Sequence, residues 1–255
     1  MLENTLVAVF VLIYGLIIGS FLNVCIYRIP IGKSVAKGRS YCPHCDSLIP
    51  WYLNIPLFSY LCLRGRCGNC QAPISPIYPL VEALNGILYL LAWYTYGLSV
   101  EGLFAAILLS LLVVVAFIDM KHKIIPNSLV IMIFVLGVLH AVYQSVYLGV
   151  DWYLGIIGLV AASVPLLLIM LIYPQGMGGG DVKLMAAAGV FLGPKILLAL
   201  FIGALCGGFF SFFLLACRKG TMKSEIPFGP FLSFGIFTAV IFGEALLSLY
   251  LSTFF

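Results

Sequence analysis

Long apolar runs separated by short polar breaks dominate the chain. Thr5–Ile26, Trp152–Tyr173 and Ile196–Cys217 carry no charge, and Gly102–Ile118 carries none until it ends at Asp119. Pro79–Gly97 contains Glu82 alone, Ser128–Val150 only His140 as a titratable group, and Phe228–Phe255 only Glu244. A helix needs about 20 such residues to cross a bilayer, so each of these runs is a candidate span. One further run, Asp181–Leu192, is short: twelve residues make a helix of roughly 18 Å, which either spans obliquely or is a half-helix. Counting it gives eight segments; leaving it out gives seven.

Composition agrees. Of 255 residues, 63% are hydrophobic and 9% charged, against about 25% charged in an ordinary soluble domain. Too few charged side chains remain to solvate a surface, which excludes a soluble globular protein, a disordered chain and a conventional nucleic-acid binder. The fold class expected is an all-α polytopic membrane protein of about eight transmembrane helices with one cytoplasmic loop domain. Placement of charge favours eight crossings. With the loop at 27–76 in the cytoplasm and sides alternating, Arg28, Lys33, Lys37, Arg39, Arg64, Arg66, Lys121, Lys123, Lys183, Arg218, Lys219 and Lys223 all fall on that side, leaving only Lys195 outside. Such a bias is the positive-inside signature, with both termini outside. The first segment is long, ends on polar Ser20 and Asn23, and lacks a small-x-small cleavage site, so it reads as a helix and not as a cleaved signal peptide. The organisation expected is 1–26 as a first membrane helix, 27–76 as a cytoplasmic domain and 77–255 as a multi-helix membrane domain.

The loop at 27–76 holds Cys42-Pro-His-Cys45 and Cys67-Gly-Asn-Cys70. Two C-x-x-C pairs can surround one tetrahedral Zn²⁺ with four thiolates. Disulfides and reduced thiols are the alternatives, and a reducing cytoplasm argues against the former. Four thiolates leave no open position for a substrate, so the expected zinc is structural and holds together a loop with little core of its own. Cys25, Cys62, Cys206 and Cys217 lack paired spacing and read as packing residues.

Ionisable groups in or beside a membrane segment are costly and mark function by default. Glu82, Asp119, Asp181 and Glu244 qualify. The expected topology brings Asp119, at the end of the third segment, and Asp181, at the start of the sixth, to one depth on one face. Asp181 follows Gly178-Gly179-Gly180, whose freedom of backbone conformation and closeness of approach can seat an extended peptide. Two neighbouring carboxyls share a proton, one acting as base on water while the other donates to a carbonyl oxygen. Alone, each has a plainer reading, Asp181 as a helix cap and Asp119 as an ion-pair partner of Lys121 or Lys123.

With these residues the sequence resembles the type IV prepilin peptidases, the bifunctional leader peptidase/N-methyltransferases of bacteria. The resemblance runs nearly end to end: Gly19-Ser-Phe-Leu-Asn-Val24, the two cysteine pairs, Trp51-Tyr-Leu-Asn-Ile-Pro56, Tyr78-Pro79, Val81-Glu82, Asp119 with Ile125-Pro126-Asn127, Gly176-Met-Gly-Gly-Gly-Asp-Val-Lys-Leu184 and Pro227-Phe-Gly-Pro230. It implies a bacterial inner-membrane enzyme that removes the basic leader of prepilins or pseudopilins after a glycine, on the cytoplasmic side, and then methylates the new N-terminus with S-adenosylmethionine. It implies Asp119 and Asp181 as the catalytic pair, Gly178, Gly179, Gly180 and Lys183 as the active-site loop, and zinc on Cys42, Cys45, Cys67 and Cys70. A peptidase without methyltransferase activity is the alternative. A transporter with carboxylate ion sites is a remoter one, because it predicts acids at the bilayer midplane and not at one edge. The partners expected are membrane-embedded prepilins and the lipid bilayer, and no nucleic acid. A prepilin helix is expected to lie against Gly203, Gly207 and Gly208, where small residues permit close approach, and Glu82 is a candidate contact for its basic leader. No glycine-rich nucleotide-binding unit is present, so the sequence does not locate the methyl donor.

Overall fold

The computed structural model describes residues 2–38, 40–173, 177–217 and 226–254; Arg39, Gly176 and the Arg218–Lys223 cluster lie outside the described residues. Nine α-helices occur among the described residues: α1 (Leu2–Arg28), α2 (Phe58–Cys62), α3 (Ile77–Tyr96), α4 (Val100–His122), α5 (Asn127–Leu148), α6 (Tyr153–Ile172), α7 (Gly179–Leu192), α8 (Ile196–Ala216) and α9 (Gly229–Phe254). Among the described residues there is no β-strand, only two isolated bridges. Seven helical stretches among them are apolar and long enough to cross a membrane, one being the continuous run Gly179–Ala216. The chain divides into two compact units, Met1–Val114 and Val115–Phe255, with α4 running from the first into the second.

In the first unit α1 and α3 lie against each other through small residues, the device that replaces the hydrophobic effect between helices in lipid. A Cβ on Gly15 would stand 2.9 Å from Gly86 Cα, and one on Gly19 would stand 2.8 Å from Glu82 Cα. Polar groups then seal the contact. Asn85 Nδ2 donates to the Gly15 carbonyl at 2.7 Å, and Ser110 Oγ of α4 donates to Asn85 Oδ1 at 2.9 Å. Nearer the loop, Asn23 Nδ2 donates to the Tyr78 carbonyl at 3.1 Å. At the end of α1 the buried Arg28 guanidinium donates to the carbonyls of Ser34, Lys37 and Gly38, folding the start of the loop back onto the helix.

In the second unit α7 lies between α5 and α6. Gly158 of α6 and Gly189 of α7 touch backbone to backbone, Gly137 of α5 faces the Phe191 amide, and the His140 ring stacks on Phe191 at 4.0 Å. The run Gly179–Ala216 is not one straight span. A 3-10 turn at Gly193–Lys195 breaks it, with Gly193 at φ 58°. At the start of the turn, Gly193 lies against Leu154 at the start of α6. At its end Lys195 pairs with Glu244, and α8 then descends α9 in antiparallel register, Gly235 on Ala199, Gly203 on Leu232 and Gly207 on Phe228. The chain therefore reverses at Gly193, so α7 and α8 run in opposite directions. The short sixth segment is a 14-residue helix, about 21 Å long at 1.5 Å per residue.

Two expectations change. Gly203 and Gly207 are occupied by α9, where their missing side chains admit Leu232 and the Phe228 ring, so neither offers a surface for a substrate helix; only Gly208 is open. Of the four unpaired-spacing cysteines, Cys25 is buried and Cys206 half-buried, but Cys62 and Cys217 are exposed and do not pack inside the chain.

Candidate active site

Asp119 sits one turn before the end of α4, which stops where Lys123 adopts φ 54° and donates its amide to the Asp119 carbonyl. Ile124-Ile125-Pro126 follows outside any helix, with Pro126 extended and helix disfavoured at Ile125 before it, and Asn127 opens α5. Asp181 lies in the first turn of α7, where Gly178 is the N-cap and the Asp181 amide donates to the Gly178 carbonyl at 3.2 Å. Both aspartates are buried, at 5% and 8% exposure, and Asp119 is close enough for its charge to act on Asp181. Asp119 Oδ2 accepts the Gly229 N–H at 2.8 Å.

The surrounding contacts hold the start of α7 against the α4–α5 connection. A Cβ on Gly180 would come within 3.1 Å of Ile125, so glycine lets the two backbones close up. Lys183 Nζ donates to Asn127 Oδ1 at 3.2 Å. Three sequence-distant pieces thus meet at one end of the second unit: the α4 end with the Ile125–Asn127 connection that follows it, the start of α7 and the start of α9. Ile125, Asn127 and Gly229 were not singled out individually from the sequence, although the motifs Ile125-Pro126-Asn127 and Pro227-Phe-Gly-Pro230 contain them.

In the first unit, Cys42, Cys45, Cys67 and Cys70 bring their sulfurs within 4.8 Å of one another. The two pairs are built alike. Cys42 N donates to Ser47 O and Asp46 N to Cys42 O; twenty-five residues on, Cys67 N donates to Ala72 O and Gln71 N to Cys67 O. Asp46 and Gln71, each just after the second cysteine of its pair, both take positive φ, and the flanking bridges Tyr41–Leu48 and Arg66–Pro73 match. Two equivalent knuckles facing each other form a donor set suited to a tetrahedral soft cation. The Ser47 hydroxyl, 3.0 Å from Cys45 Sγ, pulls that thiol down to about 6, and the Cys70 and Asn69 amides lower Cys67. The Ala72 amide pulls Cys70 the same way, but desolvation and three crowded sulfurs outweigh it and push Cys70 up to about 11. Four clustered sulfurs thus resist losing all their protons together, and a bound cation is what relieves them.

Glu82 is buried on α3, and its Oε2 accepts the Leu57 amide at 2.8 Å, where Leu57 holds φ 60°. The carboxylate therefore ties the loop to α3, a role the sequence did not suggest.

Apolar helices throughout, a four-cysteine loop and a buried carboxyl pair define a class: a polytopic membrane protein whose candidate site is built from two aspartates. Two family models match the chain, the Bacterial Peptidase A24 N-terminal domain over residues 13–96 and the Type IV leader peptidase family over residues 106–217. The prepilin leader peptidase/N-methyltransferase of Bacillus subtilis (strain 168) is 35% identical, over 94% of this chain and 96% of the relative. That of Aeromonas hydrophila is 36% identical, over 96% and 93%, and that of Legionella pneumophila 33%, over 94% and 92%. No solved structure matches the chain. The chain belongs to the prepilin leader peptidase/N-methyltransferase family.

Proposed function

We propose that this chain is a membrane aspartic endopeptidase that removes the basic leader of type IV prepilins or pseudopilins after a glycine, on the cytoplasmic face of the bacterial inner membrane, and then N-methylates the new terminus. The observation that carries the reading is the meeting of two buried aspartates, 62 positions apart in sequence, beside a glycine-walled helix start. Asp119 and Asp181 are the catalytic pair. One carboxylate takes a proton from water, whose oxygen bonds to the scissile carbonyl carbon, while the other carboxyl donates a proton to the carbonyl oxygen. Collapse of the tetrahedral intermediate breaks the C–N bond as the new amine takes up a proton. Gly178 and Gly179 leave room for an extended backbone, Gly180 lets the α7 start close on Ile125, and Lys183 clasps Asn127 to hold it in place.

Residues 27–76 form the cytoplasmic domain, with a structural Zn²⁺ on Cys42, Cys45, Cys67 and Cys70, between a first membrane helix at 1–26 and the peptidase domain at 77–255. The charge asymmetry of the sequence supports this sidedness, with both termini outside. S-adenosylmethionine supplies the methyl group, as the names of the relatives imply.

The test is prepilin cleavage by purified protein with labelled S-adenosylmethionine. Asp119→Asn and Asp181→Asn are each expected to abolish cleavage with the fold retained; substantial cleavage by either variant sinks the pair. Cleavage by the unaltered protein without label transfer reduces the activity to the peptidase alone.

A further inference from the structure

We propose that Gly229 is a positioning residue for the cleavage reaction: its main-chain N–H fixes the Asp119 carboxyl, and its lack of a side chain is what allows that carboxyl its place. This rests on the reading of Asp119 as half of the catalytic pair.

Gly229 is the first residue of α9, where helix amides have no intrahelical acceptor. Its N–H goes to Asp119 Oδ2 at 2.8 Å, a buried bond across 110 positions of sequence. The neighbouring Pro230 has no N–H, and the next two amides, of Phe231 and Leu232, both turn back to the Phe228 carbonyl. The donor is carried on a fixed element, since the Phe228 ring and Leu232 seat α9 on Gly207 and Gly203 of α8. A short carboxyl that would otherwise swing about its terminal torsion is thereby held by Oδ2, leaving Oδ1 as the oxygen directed to chemistry.

The need for glycine here is spatial and not conformational. Gly229 is absent from the residues with positive φ, yet a Cβ on it would stand 2.7 Å from Asp119 Oδ2, 3.0 Å from Cγ and 3.1 Å from Cβ. The three nearest atoms all belong to Asp119. A methyl group at this position therefore presses on the catalytic side chain before anything else, so substitution moves the carboxyl while the helix contacts remain. A displacement of about 1 Å at a reacting group costs on the order of 100-fold in rate.

The test compares the full-length protein with Gly229→Ala on a prepilin substrate and on a peptide in which a hydroxyethylene unit replaces the scissile amide, mimicking the tetrahedral intermediate. The expected result is a kcat lower by about 100-fold, a KM within about twofold of the starting protein, and a Ki for the hydroxyethylene peptide raised by about tenfold or more, since interactions made in the transition state are the ones lost. The ratio of Ki to KM is independent of how much protein is active, so a folding defect leaves it unchanged. An unchanged ratio, or a kcat within about threefold of the starting protein, overturns the proposal. A second measurement covers a Gly229→Ala chain that does not fold: hydrogen exchange of the Gly229 amide in Asp119→Ala, expected to be about tenfold faster than in the unaltered protein once its acceptor is gone. Equal exchange overturns the proposal. An unaltered protein that cleaves no prepilin sinks the peptidase reading instead, and the exchange result then stands as a separate test of the Gly229–Asp119 contact.

Discussion

Gly158→Ala perturbs the candidate site from a distance. The Cβ added to Gly158 would lie 2.0 Å from the Gly189 carbonyl oxygen and 2.6 Å from Gly193 Cα. Close carbon–oxygen contacts between helices settle near 3.3 Å, so α6 and α7 have to part by about 1.3 Å at their crossing. The helix cannot simply slide aside, because α5 already lies against it, where a Cβ on Gly137 would stand only 3.0 Å from the Phe191 amide nitrogen. Overpacking of this kind costs about 1–3 kcal/mol. Asp181 lies eight residues up the same helix, about 12 Å away, and moves with it. A shift near 1 Å at Asp181 lowers kcat by on the order of 100-fold. The assay pairs thermal unfolding in detergent with prepilin cleavage, and Gly208→Ala, where nothing stands within 4 Å, is the control expected to melt like the unaltered protein. A Gly158→Ala chain that melts and cleaves like the unaltered protein would show that the α6–α7 contact does not set the position of Asp181.

Three further outcomes follow from the first unit. Glu82→Ala leaves the Leu57 amide without its acceptor, a loss of about 1–3 kcal/mol, so proteolysis within residues 40–70 should accelerate by about tenfold or more; an unchanged rate refutes the tie between loop and α3. One Zn²⁺ per chain is expected by elemental analysis, lost in Cys42→Ser or Cys67→Ser, and intramolecular disulfides among the four cysteines in freshly purified protein would contradict it. Metal affinity should fall with acidity. Cys70, held up to about 11, is protonated at neutral pH and must release its proton on binding, so affinity drops about tenfold for each pH unit lowered, for every thiol still protonated. Competition against a chromophoric chelator at pH 6, 7 and 8 measures this, and a flat profile refutes it.

Much of the molecule was legible in the order of its residues. Apolar run length determined the helices, because a bilayer demands about 20 residues without charge and leaves no other way to satisfy the backbone. The C-x-x-C spacing identified the four sulfurs, since each pair is closed by its own local turn. Scarcity of charge reduced the acidic candidates to a handful, among them Asp119 and Asp181. Glycine was harder to read. Gly203 and Gly207 suggested a substrate surface, but whether a missing side chain faces a partner or a neighbouring helix depends on rotation about the helix axis, which a uniformly apolar helix does not encode.

The sequence by itself determined the class, the spans, the cysteine cluster and the names of the two aspartates, because each rests on composition or on spacing within a short stretch. Only the tertiary structure decided what touches what across long separations: the reversal at Gly193 that turns α8 back along α9, the Leu57 amide on Glu82, and the Gly229 amide on Asp119. Those contacts join backbone groups to side chains tens of residues away or more, and a main-chain N–H carries no identity that a sequence could display. The two aspartates were visible as letters; the amide that holds one of them became visible only when α9 was laid beside α4.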